Sequence, residues 1–297
     1  MKTWIKRTLL GVASLVVVAV GAVFGLATLG DRKLERQIDV AVDAVPLVSD
    51  AASIERGGYL FRSRGCGDCH SRDGSGGVVV EDGKSMLIRA PNLTTGPGGV
   101  TVAYKPVDWV RSIRHGVKPN GRPALIMPSE EYNRFTDADL AAVVSYVRQL
   151  PPKAGEGATI RLPLPVRVLY GAGVFKDASE KIDHRLPPAQ PVAEGVTAAH
   201  GAYVANGCKG CHRPDLSGGK IAGAPPDWPP AARLAPGEGS VLSRYPDAGA
   251  FAAMLKTGKR PDGSAVSKVM PFVSLRELSD VDVRALYLHL TTMAPSR

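Results

Sequence analysis

Cys66-Gly67-Asp68-Cys69-His70 and Cys208-Lys209-Gly210-Cys211-His212 hold all four cysteines of a 297-residue chain, as two copies of one C-x-x-C-H pattern set 142 residues apart. The flanks repeat too. Arg56-Gly57-Gly58-Tyr59 upstream of the first copy resembles His200-Gly201-Ala202-Tyr203 upstream of the second. Downstream, Gly116-Val117-Lys118-Pro119-Asn120-Gly121 resembles Gly258-Lys259-Arg260-Pro261-Asp262-Gly263, and Met127-Pro128 recurs as Met270-Pro271. The first cysteine and the methionine are 61 residues apart in one copy and 62 in the other. Nine residues past each methionine, Thr136-x-x-Asp139 and Ser279-x-x-Asp282 have the form of helix capping boxes. Apolar stripes at helical spacing follow, formed by Leu140, Val143, Val144 and Val147 in one copy and by Val283, Leu286, Tyr287 and Leu290 in the other. Pro151-Pro152 and Pro295 close the two copies. Features recurring in one order mark a duplicated unit. The reading is two tandem domains, 49–152 and 196–297, joined by a Pro-rich linker, 153–195, that packs on them rather than hanging free.

C-x-x-C-H is a site of c-type haem attachment. Two thiols three positions apart on one turn can each add to a vinyl group of one porphyrin, and the following histidine then sits beneath the iron. Cys66, Cys69 and His70 would hold one haem, and Cys208, Cys211 and His212 a second. Met127 and Met270 are the matching sixth ligands, since a thioether favours reduced iron and raises its potential. Met86 and Met254 have no counterpart in the other copy, and Met293 lies near the chain end. A shared zinc site would need to bridge 138 residues between the pairs and leaves both histidines unexplained. A thioredoxin-like dithiol lacks its βαβ context, and disulfides within C-x-x-C are sterically tight. His115 is a rival ligand, but its counterpart is Thr257, which places it at the surface or beside the site; His184, His200 and His289 read as structural or solvated. Trp109 can donate its indole N–H to a propionate or simply pack; its counterpart Phe251 favours packing. Asn92-Leu93-Thr94 reads equally as polar contacts to a haem edge or as a turn.

Composition agrees with a cofactor-filled interior. Only 6% of residues are aromatic, while 33 Gly and 24 Pro imply much loop. The net charge of +9 includes no run of five basic residues, so nucleic-acid binding has no support. Thr8–Gly30 is 23 residues without a charge, about 34 Å of helix against a ~30 Å hydrocarbon core. Lys2, Lys6 and Arg7 precede it, which orients the amino terminus toward the cytoplasm and the rest to the periplasm. Residues 1–48 thus read as an inner-membrane anchor and juxtamembrane segment. A cleaved signal peptide, with Gly25-Leu26-Ala27 as its small-residue site, is the competing reading and exports the chain equally.

These motifs resemble the class I cytochrome c family, twice over. With Arg56-Gly57-Gly58-Tyr59-Leu60, Pro91-Asn92-Leu93-Thr94 and Asp137-Ala138-Asp139-Leu140, the first copy looks most like the cytochrome subunits of membrane-bound dehydrogenases. The resemblance implies an all-α fold, with three to five helices around each of two covalently attached haems and little or no sheet. It also implies that Gly57 and Gly201 let the carboxy-terminal helix of each unit cross the amino-terminal one closely. The function implied is electron transfer between a dehydrogenase and quinone or a terminal oxidase. The chain departs from the three-haem alcohol dehydrogenase subunit in having two motifs. The alternative is a di-haem redox enzyme such as a peroxidase or a thiosulfate-oxidising cytochrome, which would need one iron with a vacant position.

Overall fold

The computed structural model describes residues 3–225 and 227–294; Lys2 and Pro295, both cited above as boundary signals, lie outside them. Helix α1 (Thr3–Glu35) carries the uncharged stretch and leaves most of it exposed. Among the described residues it is the one helix long and apolar enough to cross a membrane.

The first unit begins at α2 (Ala51–Ser63), where the Asp50 side chain accepts from the Ser53 N–H at 2.9 Å. It continues through α3 (Cys66–His70), strands β1 (Gly77–Glu81) and β2 (Leu87–Ala90), and then α4 (Pro106–His115), α5 (Ser129–Tyr132) and α6 (Asp137–Gln149). The stripe expected on α6 is buried in full, with Leu140, Val143, Val144 and Val147 at 3% exposure or less against Leu60, Phe61, Trp109 and Val110. Helix α2 crosses α6 so closely that a Cβ on Gly57 would overlap the Ala142 carbonyl.

The segment after α6 departs from a simple linker. Strand β3 (Thr159–Arg161) pairs antiparallel with β2, which pairs antiparallel with β1. This three-stranded sheet is a departure from the all-helical expectation. Val78, Val79, Val80 and Ile88 are β-branched and suit a pleated surface. The chain returns through α7 (Leu164–Gly171), which packs on α1. Tyr170, fully buried, joins Ile88 and Leu125 in a small separate core.

The second unit runs through α8 (Ala198–Val204), a tight 3-10 turn at Ala205–Cys208, α9 (Lys209–His212), α10 (Ala248–Thr257), α11 (Phe272–Leu275) and α12 (Asp280–Thr292). Its core gathers Val204, Phe251, Leu255, Val283, Leu286 and Leu290; Tyr287 is half-buried at its edge. Helix α8 meets α12 as α2 meets α6, with Gly201 beneath the Ala285 carbonyl.

The capping boxes form only in part. Thr136 and Ser279 do accept from the N–H of Asp139 and Asp282, at 3.0 and 3.1 Å. The reciprocal half is taken over by a tyrosine from the other unit. The Thr136 N–H donates to Tyr203 Oη at 3.2 Å, and that hydroxyl donates to Asp139 at 2.6 Å. The Ser279 N–H donates to Tyr59 Oη at 3.1 Å, and that hydroxyl donates to Asp282 at 2.6 Å. The tyrosine that follows the Gly-rich pair in each unit therefore caps the last helix of its partner unit.

Candidate functional site

Each C-x-x-C-H forms a short helical turn that ends abruptly. In the first, Gly65 takes a left-handed conformation (φ +77°) to start α3, and Ser71 (φ +63°) turns the chain out of it. In the second, Arg213 (φ +69°) does the work of Ser71. Residues i and i+3 share a helix face, so Cys66 and Cys69 lie on one side of the turn, and Cys208 and Cys211 likewise.

Both histidines are locked by a backbone carbonyl. His70 Nδ1 lies 2.9 Å from Pro91 O, and His212 Nδ1 lies 2.7 Å from Ala232 O. A carbonyl only accepts, so Nδ1 carries the proton and Nε2 keeps its lone pair. Burial lowers the pKa of both rings despite these bonds, which favours the neutral, ligating form. The carbonyls arrive from the turns at Pro91 and Ala232, and Gly76 and Gly218 donate back to the His70 and His212 carbonyls at 2.9 and 3.0 Å.

The methionines sit on identical turns. Ser129 N–H donates to Met127 O and Phe272 N–H to Met270 O, both at 2.8 Å. Pro128 (φ −79°, ψ 56°) and Pro271 (φ −79°, ψ 68°) occupy the centre, the geometry of an inverse γ-turn. Proline pre-sets that φ, which explains why Met-Pro recurs.

In the first unit these parts converge. A cavity of about 410 Å³ is lined by Cys66, Cys69, His70 and Met127 together with Phe61, Trp109, Tyr132, Val143 and Val147. The walls are mostly apolar, and two thiols, an imidazole and a thioether project among them. That donor set fits a covalently held porphyrin: thiols for its vinyl edge, nitrogen and sulfur for its iron. Arg89 also lines the cavity, and its Nε is buried without a hydrogen bond, although it lies 3.4 Å from Glu156. It is a donor available to an acidic group of the occupant. No spacing rule marked Arg89, because it enters on the unexpected strand β2.

In the second unit Cys208 and Met270 border the same apolar cluster, His212 is half-buried and Cys211 is exposed. Burial pushes the Cys66 and Cys208 thiols up to about 12, so neither is an activated thiolate.

The secondary residues sort themselves. Trp109 packs edge-on to Tyr104 (5.0 Å, 61°), and Phe251 packs edge-on to Tyr245 (5.6 Å, 79°), so the pair shares a packing role. Asn92 is a buried turn anchor, its amide donating to Lys153 O at 2.8 Å and its carbonyl accepting from the Thr94 N–H at 2.8 Å. His115 is neither a surface group nor part of the cavity wall. It is buried and stacks on His184 with their Nδ1 atoms 3.0 Å apart. His200 is buried and bonds Asp282 at 2.7 Å.

The two motif turns are also joined across the units. Helix α5, next after Met127-Pro128, packs on the 205–208 turn and on α9; helix α11, next after Met270-Pro271, packs on α2 and α3. A Cβ on Gly210 would collide with the Glu131 carboxylate. Burial, and then neighbouring Glu130, pushes that carboxyl up to about 8.

Residues 52–147 match the family model of cytochrome c oxidase, cbb3-type, subunit III. The chain is 26% identical over 274 residues to the fructose dehydrogenase cytochrome subunit of Gluconobacter japonicus, covering 84% of this chain and 54% of that one. It is 26% identical over 272 residues to the gluconate 2-dehydrogenase cytochrome c subunit of Pantoea cypripedii (82% and 60%). It is likewise 26% identical over 272 residues to the alcohol dehydrogenase (quinone) cytochrome c subunit of Gluconobacter oxydans (82% and 55%). The chain thus spans little more than half the length of these curated relatives.

Proposed function

We propose that this chain, a relative of dehydrogenase cytochrome c subunits with a cytochrome c-type first unit, is a two-haem electron carrier held at the periplasmic face of the inner membrane. Each unit would hold one haem, through Cys66 and Cys69 in the first and Cys208 and Cys211 in the second. His70 and Met127, and His212 and Met270, would supply the nitrogen and sulfur ligands of the two irons. A bound haem supplies a one-electron couple, Fe(III)/Fe(II), in a site whose apolar walls limit water.

The observation that carries the reading is the convergence of Cys66, Cys69, His70 and Met127 on one apolar cavity. The chain's own residues do four things there. Cys66 and Cys69, both on the cavity wall, would hold the group through two thioether bonds. The Pro91 carbonyl holds the imidazole in the tautomer whose Nε2 can ligate. The Met-Pro turn fixes the backbone from which the Met127 side chain reaches the cavity. The buried stripe of α6 excludes solvent. The matched His and Met-Pro turns of the second unit support the same roles there, and with a nitrogen and a sulfur ligand from each unit the irons would serve electron transfer rather than substrate binding. Electrons would pass between a dehydrogenase and quinone or a terminal oxidase, by analogy with the dehydrogenase cytochrome subunits that the chain resembles.

The test is haem content and the optical spectrum of the purified full chain, oxidised and reduced, with and without carbon monoxide. Two low-spin haems that ignore carbon monoxide are expected. Met127→Ala and Met270→Ala should each lower one potential and open one carbon monoxide site. A parent haem that is high-spin or binds carbon monoxide would point instead to the di-haem enzyme.

A further inference from the structure

Helix α7 lies against the end of α1 that leaves the apolar stretch. A Cβ on Gly30 would overlap the Arg167 carbonyl, and one on Gly171 would overlap the Leu26 carbonyl. The later residue of α7 meets the earlier residue of α1, so the two helices run antiparallel and the carboxy-terminal end of α7 points back along the anchor. Leu26 precedes Gly30 by four residues, a depth of roughly 6 Å at the helical rise.

The sequence at that end suits the depth. Val168-Leu169-Tyr170-Gly171-Ala172-Gly173-Val174-Phe175 contains no charge, while Arg167 and Lys176 bracket it. Arg167 donates Nε–H to Asp31 Oδ1 at 2.7 Å, and Asp31 is the first charged residue past the apolar stretch, so this pair marks the water side. Beyond it the chain makes a tight reversal: Val174 N–H donates to Leu169 O at 3.0 Å, and Gly173 adopts φ +73°. Tyr170 is buried beneath the reversal, but Leu169 is 45% and Val174 59% exposed. Two large apolar side chains thus stand open beside a helix whose own apolar surface is open along its length.

We propose that residues 168–175 are a second membrane-contacting element, a short apolar tip seated in the headgroup–acyl boundary of the same bilayer that α1 spans. This rests on the reading of α1 as an uncleaved anchor, which the burial of Ala27 and Gly30 under α7 supports. Shallow insertion of 5–10 Å is the usual depth for such elements, and the flanking Arg167 and Lys176 can keep their charges at the water side. Because β3 lies just before α7 and pairs with β2, whose Ile88 and Arg89 line the first cavity, the tip ties that cavity to the membrane surface.

The test uses the full haem-loaded chain in phospholipid vesicles, with an environment-sensitive fluorophore on single substitutions Leu169→Cys, Val174→Cys, Val16→Cys and Ser243→Cys. The parent, its own cysteines consumed by haem, is the blank. Emission at 169 and 174 should shift to the blue and be lost with lipids brominated near the headgroup end of the acyl chain. Emission at 16 should be lost with lipids brominated near the chain terminus, and emission at 243 should respond to neither. Unquenched labels at 169 and 174 beside a quenched label at 16 would place the tip in water and overturn the proposal alone. An unquenched or missing label at 16 would overturn the spanning reading and this proposal with it.

Discussion

His115 and His184 form a stacked pair in which one ring cannot ionise cheaply. Burial first, then His184 and Arg114, lower His115 to about 4 from its ordinary 6.5. Between those values the unfolded chain binds a proton that the folded chain refuses, so stability is full above pH 6.5 and falls as the pH drops toward 4. After solvent screening, the loss from this group between pH 7 and 4.5 should be about 1–2 kcal/mol. His115→Phe keeps the ring and removes the titration. Urea unfolding of parent and variant at both pH values should show a shallower loss in the variant; parallel losses would refute the assignment.

At the scale of elements, the close crossings of α2 on α6 and of α8 on α12 define each unit. Gly57 and Gly201 are required there because a neighbouring carbonyl occupies the space of a Cβ. Gly57→Ala or Gly201→Ala should cost about 2–4 kcal/mol through forced separation of the helices. Gly207, with open space around it, is the control, and Gly207→Ala should stay within about 0.5 kcal/mol of the parent. Denaturant melts followed by helical circular dichroism compare them. Equal losses at 201 and 207 would mean that the crossing is not what the glycine serves.

Across the whole molecule, the two units hold each other by exchange. Tyr59 completes the cap of α12 and Tyr203 completes the cap of α6. The two junctions are not equally buried. Around Tyr59, Arg64 approaches Asp282 at 2.6 Å with side-chain exposures of 7% and 0%. Burial would raise the Asp282 carboxyl, yet Arg64, Tyr59 and His200 hold it below its ordinary value. Around Tyr203, Arg56 bonds Asp139 at 3.0 Å nearer the surface. Tyr59→Phe and Tyr203→Phe should each cost about 1–2 kcal/mol by stranding a cap N–H and a carboxylate acceptor. The two losses should couple rather than simply add, since Arg56, the partner of Asp139, also lies over the Tyr59 ring at 5.5 Å. Small-angle scattering should show the double variant more extended with its haem spectrum unchanged. A double variant as stable and compact as the parent would show that the exchange does not hold the units together.

The motifs, their spacing and the capped helices were legible in the sequence because they are local. A C-x-x-C-H turn, a Met-Pro turn and an i, i+3, i+4, i+7 stripe each depend on residues within a few positions, and all appear where the residue pattern puts them. The glycines at the crossings were legible through the resemblance, as places where backbones meet. What lay beyond sequence were the partners of polar groups far apart in the chain. A hydroxyl at 59 or 203 carries no mark of the N–H it will accept 220 or 67 residues away. Nor did the residues around 159–161 announce a strand, since three residues form one only when β2 offers an open edge. The sequence by itself picked out Cys66, Cys69, His70 and Met127, which line one apolar cavity. The tertiary structure decided that Arg89 joins them, that His115 pairs with His184 instead, and that each unit caps the other, because those contacts exist only once distant segments are packed.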